Sequence, residues 1–166
     1  MRVHDFDPTK GQAFQGDVSI VPIPAGIKVS TTDEIQPVDN KLILQEGELT
    51  GHHHHIALPR ERRFRKTDVQ ADPVLQVRDT SLRKKLGGAK ASIGHARLYR
   101  DPNVAAQMQS RGLLTRADLV VGCLVVEDGP MTIAHQEHNS IRVPPGNYLI
   151  GRQIESAGAE ERVVAD

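Results

Sequence analysis

The amino-acid sequence predicts a mainly β fold, a small barrel or sandwich with one short helix and a long charged insertion. Short segments in which apolar and other side chains alternate recur along the chain, which is typical of strands with one buried face. The chain is divided by 14 glycines and 10 prolines, which favours short strands and turns over long helices. The aromatic fraction is only 3%, so the expected core consists of Val, Ile, Leu and Ala.

Turn residues separate the predicted strands, and one helix lies among them. Asp101 and Pro102 supply an N-cap and a first-turn proline, and Gly112 a stop, so a helix is predicted over residues 103–111. The apolar run at 119–126 predicts the most buried strand. The predicted strands are 17–24, 27–31, 42–44, 49–58, 95–100, 119–126, 131–135, 141–143 and 148–154.

The domain organisation follows from changes in composition. Residues 1–16 are polar and are predicted to form an arm, and residues 17–166 a single β domain. An insertion is predicted at about 60–94, where the chain becomes basic and apolar side chains are few. Cys123 is the only cysteine, which excludes an intrachain disulfide framework, and its apolar neighbours predict a core residue.

Two separated histidine clusters dominate the functional signal: four consecutive histidines begin at residue 52, and a pair occupies positions 135 and 138. Because strand side chains alternate, His52 and His54 share the face of Ile56, which is predicted to point inward. The same parity turns His135 inward, and His138 follows across the start of a turn. We therefore predict a transition-metal site formed by His52, His54, His135 and His138.

The donor type limits the metal. Neutral imidazoles bind Zn, Fe, Ni or Cu better than Mg or Ca. Glu137 or Glu48 is a candidate carboxylate ligand, a partner that fixes an imidazole tautomer, or a catalytic acid or base. A hydrogen-bonded structural cluster and solvated loops are the two alternatives to a metal site.

Three classes of function are compatible with such a site. The favoured one is a metal-binding protein of non-catalytic or unknown role. A metal-dependent enzyme acting on a small molecule would need an open metal position beside Glu137 or Glu48. A structural or assembly protein would saturate the ion with histidines, some of them from a second chain.

The stretch from Gly47 to His55, together with the stretch from His135 to Tyr148 and with Gln153, resembles a family of short, uncharacterised bacterial proteins. These share G-E-x-T-G-H-x-H and E-H-x-x-I-x-x-P-x-G-x-Y-x-x-x-x-Q motifs, and the resemblance covers about 17–58 and 119–166. It implies a compact β fold and no known activity.

A weaker resemblance is to cupins, in which H-x-H lies on one strand and P-x-G precedes another. Leu149 occupies the position expected for a further cupin histidine, so His135 and His138 would have to replace the usual ligands. A cupin-like fold with a metal centre is what this resemblance implies.

The charge pattern bears on partners and location. Lys plus Arg equals Asp plus Glu at 21 each, so no overall field favours nucleic acid or membrane. The basic stretch from Arg60 to Lys66 is a possible but not favoured nucleic-acid contact. A homo-oligomer is predicted, in which the insertion docks on another subunit. No apolar run is long enough for a membrane span, and the expected location is cytoplasmic.

Overall fold

A computed structural model describes residues 1–46, 51–59, 94–157 and 160–163, and within that part the chain is mainly β. Two large sheets share one apolar core, which confirms the mainly β class predicted from the sequence. Both sheets are open in this part of the chain, so the sandwich is the predicted alternative that the structure shows.

The described residues contain 13 strands and one α-helix. The strands are β1 (Val3–Asp5), β2 (Ala13–Gln15), β3 (Val18–Pro22), β4 (Glu34–Ile35), β5 (Lys41–Glu46), β6 (His53–Ala57), β7 (His95–Tyr99), β8 (Val120–Glu127), β9 (Met131–Ala134), β10 (Ser140–Val143), β11 (Gly146–Arg152), β12 (Ile154–Ala157) and β13 (Glu160–Val163). The helix is α1 (Pro102–Ser110), and short 3-10 helices lie at Pro8–Lys10 and Ala117–Leu119.

The strands are arranged in two large sheets and a hairpin. The first sheet has the order β1-β10-β9-β6-β5, and the second the order β2-β3-β11-β8-β7-β4. Most neighbours are antiparallel, whereas β1 runs parallel to β10. Strands β12 and β13 pair only with each other among the described residues.

The main core lies between the two sheets. Alternate side chains of β5, β6 and β9 point into it from the first sheet, and those of β3, β8 and β11 from the second. Ile56, Ile133 and Leu124 are fully buried in this layer. At about 25 cal/mol per Å² of apolar surface removed from water, each such side chain stabilises the fold by roughly 1.5–3 kcal/mol.

Helix α1 covers the other face of the six-stranded sheet. Its Val104 and Met108 are buried against Cys123 of β8 and Leu149 of β11, in a second, smaller core. The Asp101 carboxylate caps the helix by accepting the Asn103 N–H at 3.1 Å. The helix lies within one residue of the predicted position at each end, which confirms that prediction.

The first sixteen residues, predicted as a polar arm, contribute a strand to each sheet instead. Strand β1 pairs with β10, and β2 forms a tight hairpin with β3 around Gly16 and Asp17. Gly16 has a φ of 55°, a conformation that glycine adopts without the steric cost of a side chain. The polar composition does not exclude pairing, because edge strands bury few side chains and are joined through backbone groups.

Residues 27–31 do not form the predicted strand: the segment is a loop in which Ile27 is buried in the second core. The Ser30 N–H donates to the Asp101 carboxylate at 2.8 Å, so this backbone bonds the helix cap rather than a sheet. The insertion at 60–94 falls almost entirely outside the described residues, and so does the start of the predicted strand 49–58.

Candidate functional site

The two histidine clusters meet because β6 and β9 are neighbours in the five-stranded sheet. His52 precedes β6, and His54 lies within it, whereas His135 and His138 lie on the connection that leaves β9. The ladder pairs His55 with Ala134, directly before His135, so the two clusters are brought to the same end of the sheet. His54 and His135 are buried, as strand alternation predicted.

The four imidazoles form one compact group, called the histidine cluster below. The rings of His54 and His135 are stacked, with centroids 4.2 Å apart. His138 stacks on His135 at 4.6 Å, and His52 meets the edge of His135 at 5.9 Å. The structure therefore brings together all four residues that the sequence singled out as metal ligands.

His54 is held on both sides by polar side chains. Its Nδ1 lies 2.8 Å from Oε1 of Gln15, and its Nε2 lies 2.7 Å from Oδ1 of Asp17. Gln15 is itself oriented, because its amide N–H groups donate to the carbonyls of Ile133 and Asn139 at 3.2 and 2.7 Å. The oxygen of this amide must then face His54.

This orientation fixes the protons. An amide oxygen only accepts, so Nδ1 of His54 carries a hydrogen. The 2.7 Å contact between Nε2 and Oδ1 of Asp17 is an ion pair when His54 is protonated. Both are almost completely buried, with side chains 1% and 3% exposed, so the pair interacts in a dry environment.

His135 adopts a different proton arrangement. Its Nδ1 accepts the backbone N–H groups of Glu137 and His138 at 3.2 and 3.3 Å, so the remaining hydrogen of a neutral ring is on Nε2. Two positive charges about 4 Å apart repel by about 4 kcal/mol at an effective dielectric constant near 20. Stacking at 4.2 Å therefore disfavours protonation of both His54 and His135 at once.

The solvent side of the cluster carries the candidate carboxylate. Oε1 of Glu137 lies 3.5 Å from Nδ1 of His52, and both side chains are partly exposed. Glu48, the other candidate, lies outside the described residues. Glu137 is thus beside the cluster, in a position to act as a ligand, a partner of His52 or an acid or base.

A cavity of about 530 Å³ adjoins the cluster. Phe6, Lys10 and Phe14 from the first sixteen residues line it, together with Gln15 and His138. The cavity is open to solvent and reaches the cluster at His138. Its lining includes both apolar and charged side chains.

The arrangement is not that of a preformed metal site. Within the described ranges, no three His, Cys, Asp or Glu side chains are placed to hold one ion. The rings of His54, His135 and His138 stack face to face, whereas ligands of one ion direct their nitrogens towards a common point. The types of donor nonetheless suit a transition metal.

The other two consecutive histidines lie on the opposite face of β6. The rings of His53 and His55 are 4.9 Å apart, and both are partly buried. Burial lowers the pKa of His55, and the positive charges of His53 and Lys41 act in the same direction. A single strand therefore presents imidazoles to both sides of the sheet.

Cys123 is excluded as a nucleophile by its position. It lies on β8, fully buried against helix α1, and burial raises the pKa of its thiol to about 12. The thiolate is the reactive form, so this residue is inert at neutral pH.

Sequence analysis missed Gln15 and Asp17, the two residues that orient His54. Polar composition assigned Gln15 to an arm, and the alternation of apolar and other residues assigned Asp17 to the beginning of a strand. The dipeptide Gly16-Asp17 between two short alternating segments is a hairpin signal and was the available clue. Nothing in the sequence indicated that this hairpin would face the second histidine cluster.

Part of the chain resembles a known protein family. Residues 14–84 match the family described as Domain of unknown function (DUF8820). The match supports a relation to an uncharacterised family, and it includes the first histidine cluster but not the second. No curated protein and no solved structure matches the chain.

Proposed function

We propose that the protein binds a transition metal ion, Zn, Fe, Ni or Cu, at the histidine cluster. The observation that carries this proposal is the convergence of His52, His54, His135 and His138, with ring centroids of adjacent members 4.2 to 6.0 Å apart. Imidazoles packed this closely favour neutral rings, and a neutral ring offers the lone pair that a transition metal needs.

The four residues differ in what binding demands of them. His52 and His138 are only partly buried and lie where solvent reaches the cluster. His54 and His135 use ring nitrogens in the hydrogen bonds described above, so coordination by either requires a ring proton to be lost or moved. The nitrogen of His54 that does not bind the ion would keep its partner, Gln15 or Asp17, which would orient the ring as carboxylates and amides do behind many ligating histidines.

Elemental analysis of tag-free protein tests the proposal. After loading with each metal in turn and removal of the excess, we expect the protein with His52→Ala and His138→Ala together to hold one ion per chain fewer than the wild type. These two positions are chosen because truncating a partly exposed ring leaves no buried void. His95→Ala, on β7 of the other sheet, is the matched control and keeps the wild-type content. Equal metal in the wild type and the double variant would refute the assignment.

A metal-dependent enzyme is the second candidate, and the cavity beside His138 is the observation that favours it. A cupin-like centre of this kind would bind a small molecule in the cavity and use Glu137 as acid or base. Metal-dependent turnover of a panel of small esters and phosphates provides the assay. With Glu137→Gln, metal content should stay and turnover should fall by about 10²-fold or more. A non-catalytic role follows if neither protein turns over any member of the panel.

A further inference from the structure

His53 and His55 form a second pair of imidazoles, on the outer face of the five-stranded sheet. They are two residues apart on β6, so their side chains project to the same side, away from His54 and the core. Their ring centroids are 4.9 Å apart, and the rings are tilted by 50° rather than stacked.

Hydrogen bonding prepares one nitrogen of this pair for a metal. Nδ1 of His55 lies 3.3 Å from the carbonyl oxygen of His53. A carbonyl only accepts, so Nδ1 carries the hydrogen and Nε2 of the neutral ring has a free lone pair. Metal-binding histidines commonly show this arrangement, in which the non-ligating nitrogen donates to a carbonyl.

One ring nitrogen of His53 is buried. Nε2 of His53 is inaccessible to solvent, and no hydrogen-bond partner for it lies within the described part of the chain. Burying such a group without a partner costs roughly 1–3 kcal/mol. Ligation of an ion by this nitrogen would remove that cost.

We propose that His53 and His55 bind a second transition metal ion, Zn, Ni or Cu, independently of the histidine cluster. The backbone holds both imidazoles in place, because His53 N–H donates to Oε1 of Gln136 at 3.1 Å and the strand is paired on both sides. Glu46 lies opposite His53 in the β5–β6 ladder and adds a negative charge beside the pair, whereas Lys41 of the same strand adds a positive one near His55.

The site has two protein ligands. No third His, Cys, Asp or Glu is placed to complete it within the ranges that the structure describes. Water or an added ligand would fill the remaining coordination positions.

Calorimetric titration of the tag-free protein with ZnCl₂ tests this second site. Three variants are compared with the wild type: His53→Gln with His55→Gln (the outer variant), His52→Ala with His138→Ala (the inner variant), and all four changes together. Glutamine keeps a polar side chain on the outer face while removing the imidazole. We expect the changes at His53 and His55 to remove one equivalent of bound zinc, whether or not His52 and His138 are also replaced. Zinc binding equal to that of the wild type in the outer variant would overturn the proposal.

The same titration separates this proposal from the function proposed above. If only the inner variant loses an equivalent, the second site is refuted and the first stands. If only the outer variant does, the reverse holds. Circular dichroism checks that each variant is folded.

A variant that adds a ligand decides the matter if the glutamine variant fails to fold. Ile43 is the β5 partner of His55, and directly paired residues have Cβ atoms about 5 Å apart. With Ile43→His, a third imidazole joins the site, and zinc binding there should tighten by about tenfold or more. Unchanged affinity in that variant would overturn the proposal.

Discussion

At the scale of single residues, His54 is held from both sides by buried polar side chains. Gln15, fixed by two backbone carbonyls, imposes a hydrogen on Nδ1, and Asp17 faces Nε2 across 2.7 Å. The pair is nearly inaccessible to solvent, so water cannot replace either partner. Stability and site geometry therefore depend on the same buried polar contacts of His54.

Replacing Asp17 tests how much the stability of the fold depends on its contact with His54. We expect Asp17→Ala to lower the free energy of unfolding by about 3–5 kcal/mol, because it breaks a buried ion pair by removing one member. Asp17→Asn keeps a side chain that can hydrogen-bond to a neutral His54, and its loss should be clearly smaller. Urea denaturation followed by circular dichroism provides the measurement.

The exposed pair of Asp118 and Arg116, 2.7 Å apart, supplies the control. Solvent screens this pair, so Asp118→Ala should change the unfolding midpoint far less. An Asp17→Ala protein no less stable than this control would contradict the importance of the buried pair.

At the scale of elements, helix α1 ends in a glycine C-cap, as Gly112 in the sequence predicted. Gly112 has a φ of 71° and donates its N–H to the carbonyl of Gln109 at 3.0 Å. The N–H of Leu113 reaches back to the carbonyl of Met108 at 2.9 Å, which completes a Schellman motif. The helix thereby places Met108 in the second core.

Gly112→Ala isolates the cost of this turn. A Cβ at this position meets no atom within 4 Å, so the only penalty is the left-handed backbone conformation. We expect a loss of about 1–2 kcal/mol in the free energy of unfolding. Thermal unfolding by calorimetry would measure it.

Gly26→Ala is the matched control for that prediction. A Cβ there is equally unobstructed, but the backbone conformation is an ordinary one. We expect no loss, or a slight gain from the reduced entropy of the unfolded chain. Equal losses at the two positions would show that the conformation of Gly112 is not the cause.

At the scale of the whole molecule, the two sheets position the site by bringing distant segments together. The hairpin of β2 and β3 carries Gln15 and Asp17, β6 carries His54, and the connection after β9 carries His135. No helix among the described residues is both long and apolar enough to cross a membrane. Oligomerisation, nucleic-acid binding through residues 60–66 and a cytoplasmic location remain predictions.

Deleting residues 62–90 tests the predicted docking of the insertion on another subunit. Light scattering should give an oligomer for the full chain and a monomer for the deletion, because the few apolar residues of this segment suffice for a contact but not for a core. Two monomers would contradict the assembly role. RNA binding that weakens steeply with added salt would then support the basic stretch as a nucleic-acid contact.

The sequence by itself determined the elements whose signals are local. The apolar run of β8, the capped helix and the inward parity of His54 and His135 depend on residues within one strand or one turn, and the structure confirms them. The alternation of side chains along a strand predicts reliably which of them point inward. A shift by one residue would turn the whole apolar face of the strand to solvent.

Only the tertiary structure decided what lies beside His54. Gln15 and Asp17 lie 39 and 37 positions earlier in the chain, and their partnership with His54 arises because hairpin β2–β3 and strand β6 belong to different sheets that face each other. Composition predicted a polar arm at residues 1–16, since it counts polar side chains and cannot register backbone pairing. A contact between residues so far apart is fixed by how the sheets pack, and no local propensity encodes that packing.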